Sequence, residues 1–114
     1  MSQIKAQIEP ATFFQADIRT GTIVAAEPNK KARKPSYVLR IDFGDIGEKV
    51  SSAQITDHYD YENLVGRQVV AVVNFPPLRV GIKSEVLILG AVEENGKVVL
   101  IQPDRKVKNG LKIG

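Results

Sequence analysis

The sequence has 114 residues, 16 basic and 13 acidic side chains, a formal net charge of +3 and no cysteine. That length fits one domain with its own core, and the missing cysteine excludes disulfides and thiolate metal sites. The lone His58 has no companion for a zinc or iron site, so neither a metal nor a cofactor is expected.

The opening stretch MSQIKAQIEP carries an early charge and no apolar h-region. No signal peptide is expected there. No apolar run approaches spanning length, so no membrane insertion is expected and the expected location is cytoplasmic. Residues 9–16, EPATFFQA, read as a short helix with proline in its first turn. It is too short to stand alone and needs a surface to pack on.

Ile18-Arg19-Thr20-Gly21-Thr22-Ile23-Val24 is β-branched and alternating, with a glycine that suggests a bulge or tight bend. Asp17 and Arg19 fall on one side of it, which suggests an ion pair. Pro28 and Pro35 bracket a cationic loop that carries Lys30, Lys31, Arg33 and Lys34. Residues 37–43 alternate again, with Tyr37, Leu39, Ile41 and Phe43 facing one way and Arg40 and Asp42 the other. A turn at 44–48 leads to a third strand at 49–55. Tyr61, Leu64 and Val65 then have helical spacing before Gly66, a suitable C-cap. A fourth strand is predicted at 68–73 and a fifth at 85–91. Asn95-Gly96 signals a hairpin that returns over 97–102. The tail adds Arg105, Lys106, Lys108 and Lys112, interleaved with Val107, Leu111 and Ile113.

Three strands, a short helix and two strands make the order of an OB-fold, an all-β five-stranded Greek-key barrel with its helix between strands three and four. An SH3-like barrel is the rival, but it would not place a helix there. In an OB-fold the loops between strands one and two and between strands four and five flank the binding face. Here these are residues 27–36 and 75–84. The second contains Pro76-Pro77, Gly81, Arg79 and Lys83, a long cationic interruption between two apolar runs.

Asp17-Ile18-Arg19-Thr20-Gly21, Ser51-Ser52-Ala53-Gln54-Ile55-Thr56 and the stretch NFPPLRVGIKSEVL resemble the tRNA-binding domain of the EMAP-II type. With the ending from Val98 to Gly114, the sequence resembles the CsaA-type secretion chaperones of that family. The resemblance runs from about Phe13 to Gly114. It implies a single tRNA-binding-type OB-fold domain over residues 1–114, with an N-terminal helical arm at 1–16 and a C-terminal extension at 98–114. It also implies a homodimer whose interface those two segments build, placing Phe13, Phe14, Val107, Leu111 and Ile113 there. The implied activities are tRNA binding and the binding of unfolded preproteins or peptides for export, with the SecA translocase as a suggested partner.

Two readings stand for the loop residues. Lys30, Lys31, Arg33, Lys34, Arg79 and Lys83 either contact phosphates of tRNA or another structured RNA, or serve as a solvated charged surface. Asn74, Phe75, Leu78, Arg79 and Ile82 are candidates for contacting a peptide. The neighbouring Val80 shares their apolar pattern. For Asn74 and Ser84 the alternative is structural, since an amide and a hydroxyl can tie down backbone where a strand ends. Phe75 could stack on a base or fill the core. No constellation for acid–base, metal or nucleophilic catalysis emerges, and no P-loop or dinucleotide fingerprint is present. A binding protein, not an enzyme, is expected.

Overall fold

A computed structural model describes residues 3–79 and 81–114. The elements, in chain order, are a one-turn helix α1 (Pro10–Phe13), β1 (Ile18–Pro28), β2 (Tyr37–Asp42), β3 (Glu48–Ala53), β4 (Gln68–Val72), β5 (Leu78–Arg79), β6 (Lys83–Ser84), β7 (Leu87–Ile88), β8 (Gly90–Val92) and β9 (Val98–Leu100). Five strands form one sheet in the order β3-β2-β1-β4-β7. The antiparallel pairs are β1 with β2 and β4, β2 with β3, and β4 with β7.

The far edges approach each other through the segment before β7. The Glu85 N–H donates to the Val50 carbonyl at 2.8 Å, and the Val50 N–H donates to Glu85 Oε1 at 3.0 Å. Ser51 Oγ–H donates to the Val86 carbonyl at 2.9 Å. The sheet is therefore a nearly closed, OB-like barrel.

The strand patterns explain the core. In β2 the alternation holds: Leu39, Ile41 and the following Phe43 are fully buried, while Arg40 is exposed. They meet Ile23, Val69, Ala71, Leu64 and Val86 in one apolar cluster. β4 is apolar on both faces because both are covered. Val69 and Ala71 face the barrel interior, and Val70 and Val72 pack with Ile18, Ala16 and Leu89 on the outside.

Gly21 marks a close approach. A Cβ there would lie 2.6 Å from Ile41 Cγ2 and 2.8 Å from the Phe43 ring. The bulge falls later, where the β1–β2 register slips between Ile23 and Ala25 and leaves Val24 unpaired in register and exposed.

Between β3 and β4 the expected helix shrinks to a 3-10 turn at Tyr61–Asn63. Only Leu64 of the apolar trio is buried. Nearby, Tyr37 Oη–H donates to the Tyr59 carbonyl at 2.7 Å, and the Tyr37 and Tyr61 rings meet edge to face. A carbonyl and a ring committed to the barrel favour a turn over a longer helix.

The expected fifth strand divides. β7 pairs with β4, and β8 turns away to form the Asn95-Gly96 hairpin with β9. The tail runs back along β1. The Thr20 N–H donates to the Leu111 carbonyl, the Ile113 N–H to the Ile18 carbonyl, and Arg19 bridges Lys112. Among the described residues no helix is long and apolar enough to cross a membrane.

Candidate nucleic-acid interface

β1 ends at Pro28, and the chain turns back at once into residues 29–36. That turn is held by its base. Asn29, 8% exposed, donates its N–H to the Ser36 carbonyl at 2.9 Å and accepts the Lys31 N–H at Oδ1. Its Nδ2 donates to Ser52 Oγ on β3 at 3.0 Å. The backbone is fixed while the side chains of Lys30, Lys31, Arg33 and Lys34 point to solvent.

Pro76-Pro77 leads from β4 into a second projection. Leu78 pairs with Ser84 and Arg79 with Lys83, so the loop is a short two-stranded ribbon. Ser84 fastens it, its Oγ accepting the Ser52 N–H at 2.9 Å. Ser52 thus touches both loops, one through its hydroxyl and the other through its backbone. The uncharged stretch 51–54 is the junction of the two loops.

Gly81 brings the loops into contact. Its φ of +77° is in the left-handed region, and a Cβ there would lie 2.6 Å from the Lys31 carbonyl carbon. Only glycine fits without forcing the loops apart.

Lys31, Arg33 and Lys34 of the first loop and Arg79 of the second therefore line one groove of about 390 Å³, with Gln54 of the segment after β3 between them. Lys83 lines an adjoining groove of the same volume, about 390 Å³, on the β1–β2–β3 face, where Arg40 joins it and Ala25, Ala26, Val38, Val50 and Ile82 give an apolar floor. Lys30 is exposed but lines neither groove.

Arg40 pairs with Glu48 at 3.5 Å, but Lys30, Lys31, Arg33, Lys34, Arg79 and Lys83 have no ion-pair partner among the described residues. Arg79 and Lys83 stand directly opposite each other across the ribbon, where like charges are destabilising. An anion in the groove would relieve that repulsion.

The other loop candidates divide by surroundings. Phe75 and Leu78 are 49% and 69% exposed, and Ile82 is half-buried. Val80 lies outside the described residues. Asn74 is occupied locally, its Oδ1 accepting the Asp17 N–H and its Nδ2 donating to the Gln15 carbonyl, both at 2.8 Å.

Of the segments expected to build a dimer, Phe13 and Phe14 meet edge to face at 5.2 Å and are largely exposed, as are Leu111 and Ile113. Val107 is half-buried and joined to Gln68 through both backbone groups. Asp17 and Arg19 form the expected ion pair at 2.6 Å. The hydrogen bond from Arg19 holds the Asp17 carboxyl below the usual aspartate range, against the opposing effect of burial and helped by the charges of Arg19 and Lys112.

His58 contacts Glu93 on the surface, far from any second ligand; among the described residues no acidic or histidine cluster could hold a metal ion. Sequence reading did not single out Asn29, Gln54, Arg40 or Ser52 as parts of this surface. Asn29 carried one available signal, since asparagine at a strand end commonly ties a turn.

Residues 18–112 match the family described as "Putative tRNA binding domain". A solved structure of the chaperone CsaA from Bacillus anthracis is 55% identical, with a TM-score of 0.91, covering 96% of this chain and 100% of that one. The CsaA chaperone protein of Picrophilus torridus is 45% identical, with a TM-score of 0.88, covering 95% of this chain and 100% of that one. The methionine–tRNA ligase of Bacteroides fragilis is 36% identical over 111 residues, 96% of this chain but only 16% of the ligase. The chain belongs to the tRNA-binding-domain family and, within it, to the CsaA group.

Proposed function

We propose that this protein is a non-catalytic RNA-binding module. It holds tRNA or another structured RNA against the groove between residues 27–36 and 75–84. The observation that carries this reading is the convergence of Lys31, Arg33, Lys34 and Arg79 on one groove without acidic partners. Each phosphate neutralised there releases counterions and steepens the salt dependence of binding. Lys83 extends the cationic surface into the adjoining groove, where Glu27 and the Glu48-paired Arg40 also lie, and Lys30 adds long-range attraction.

A homodimer belongs to the same reading. Phe13, Phe14, Leu111 and Ile113 expose apolar surface on the two terminal segments, which a second copy would cover. Two copies of the groove would act on one RNA with higher avidity than either alone. A sedimentation mass of a single chain at micromolar concentration would contradict the dimer.

The second reading is a chaperone that binds unfolded preproteins or peptides in the cytoplasm and assists their export, with SecA as a partner. The names of the CsaA neighbours supply the word chaperone; the export role and SecA rest on the family resemblance alone. The specific observation in its favour is the exposure of Phe75 and Leu78 on the same ribbon, beside a groove with an apolar floor.

Competition between labelled tRNA and an unfolded apolar-basic peptide, across a salt series, separates the two. The RNA reading expects tight tRNA binding that collapses with salt and weak peptide binding. Salt-insensitive peptide binding without measurable tRNA affinity would overturn it in favour of the second.

A further inference from the structure

The cationic tail residues have no place in the groove just described. They belong to a second cleft, of about 870 Å³, between residues 102–109 and the approach to β4 at 63–68. The two clefts share no lining residue.

The wall formed by the tail is fixed. The Val107 N–H donates to Gln68 Oε1 at 3.0 Å, and Gln68 Nε2 donates back to the Val107 carbonyl at 2.7 Å. Thr20 Oγ–H donates to the Lys108 carbonyl at 2.8 Å.

Arg67 forms the opposite wall. Its guanidinium carbon lies 5.1 Å from the centre of the Tyr59 ring. That ring is itself anchored, its hydroxyl accepting the Leu100 N–H at 3.0 Å. The Arg67 Nε is buried with no hydrogen-bond partner among the described residues, and the side chain forms no ion pair there. A half-buried guanidinium held over an aromatic ring, without a counter-charge among the described residues, is a costly arrangement unless an anion completes it.

Arg105, Lys106 and Lys108 line the same space. The acids present compete poorly. Asp104 is almost fully exposed and touches only its neighbour Arg105, at 3.9 Å. Asp42 is already engaged, accepting the Gly44 N–H at 2.8 Å.

We propose that this cleft is a second phosphate-binding site, with Arg67 as its fixed contact and Lys106 and Lys108 as mobile ones, and that it grips the same RNA as the loop groove. The inference rests on the RNA-binding reading above and deepens it. The molecule measures 39 × 38 × 29 Å, on the order of a dozen base-pair steps at about 3.4 Å each. An RNA of that length is long enough to span the molecule, as a ligand of one or two nucleotides is not. Two separated phosphate contacts would favour an RNA of fixed shape without any base contact.

The test is the affinity of the full chain for a labelled tRNA across a salt series. Lys106→Ala/Lys108→Ala removes exposed side chains and should weaken binding about tenfold, with the salt slope shallower by about 0.7–0.9 per lost contact. Arg67→Lys keeps the charge but loses the stacked, forked guanidinium, and should weaken binding about threefold or more. Lys97→Ala, on the exposed β8–β9 hairpin, removes one positive charge, half of that lost in the double variant, and should change affinity less than twofold.

If the cleft variants bind like the parent while Lys31→Ala/Arg79→Ala binds weakly, the second site is overturned and the groove reading stands. If only the groove variant is silent, the cleft stands and the groove falls. If the cleft variants lose self-association but keep RNA affinity, the cleft is an interface between copies and the inference is wrong. Should Arg67→Lys lower the melting temperature without changing affinity, Arg67 merely packs, and its assigned role is overturned.

Discussion

The two ends of β1 handle the same residue types in opposite ways. At the Ile18 end, Arg19 is paired with Asp17 at 2.6 Å and also donates to the Gly110 carbonyl at 3.1 Å. Asn74 spends both amide atoms on residues 15–17. Polar groups there tie the chain termini to the barrel. At the Pro28 end, Asn29 and Ser84 tie down the loops, but Arg79, Lys31, Arg33 and Lys34 are left unpaired and face a groove. A cation whose hydrogen bonds are spent inside the molecule serves stability. A cation on an equally well-fixed backbone, with its charge unspent, is available to a ligand.

Substitutions can break or sharpen that contrast. The barrel core serves both ends, so Phe43→Ala should cost about 3–5 kcal/mol and lower the melting temperature whether or not RNA is present. Gly81→Ala attacks the junction of the loops. The strained φ and the contact with Lys31 should cost about 1–3 kcal/mol. By parting the loops, it should also weaken RNA binding about tenfold, the equivalent of about 1.4 kcal/mol. Unchanged affinity in a folded Gly81→Ala protein would mean that the loops need not touch.

At the other end, Asn74→Ala should cost about 0.5–1.5 kcal/mol in thermal unfolding, the net worth of an exposed hydrogen bond, because water can replace the amide at the Asp17 N–H and the Gln15 carbonyl. Its RNA affinity should match the parent, and a loss there would move Asn74 into the binding surface.

The smallest effect is acid dependence. Asp17 has its pKa lowered in the folded state, so its ionised form contributes stability above the unfolded pKa. That contribution is lost as pH falls through the folded value, below the usual aspartate range. Because Asp17 is partly exposed, the effect is modest. Asp17→Asn should lose a modest amount of stability at neutral pH and flatten the acid end of the stability–pH curve, so that the two proteins converge below the folded pKa; a deficit that persists at low pH would point to lost packing instead.

What the sequence made legible follows from range. Alternation in residues 37–43 is a local signal, and it placed Leu39, Ile41 and Phe43 in the core correctly. Asn95-Gly96 is equally local and forms its hairpin. The bulge at Val24 was missed because register is set by β2, not by β1 alone. The 3-10 turn replaced a helix because Tyr37 and Tyr61 meet across the fold.

The cation clusters could be read as runs, but their meeting could not. Residues 31–34 and 79 come together through Ser52 and Gly81, which carry no charge and whose long-range contacts no local pattern reveals. Arg67 is a lone residue in sequence, and only its stack on Tyr59 singles it out.

The account turns on two loops, distant in sequence, acting as one anion-binding surface. The most direct test is the slope of log affinity for tRNA against log salt, for the parent and for Lys31→Ala/Arg79→Ala. The slope should become shallower by about 1.4–1.8, two contacts at about 0.7–0.9 each, with the melting temperature unchanged. A double variant with the parent's slope and affinity would contradict the account.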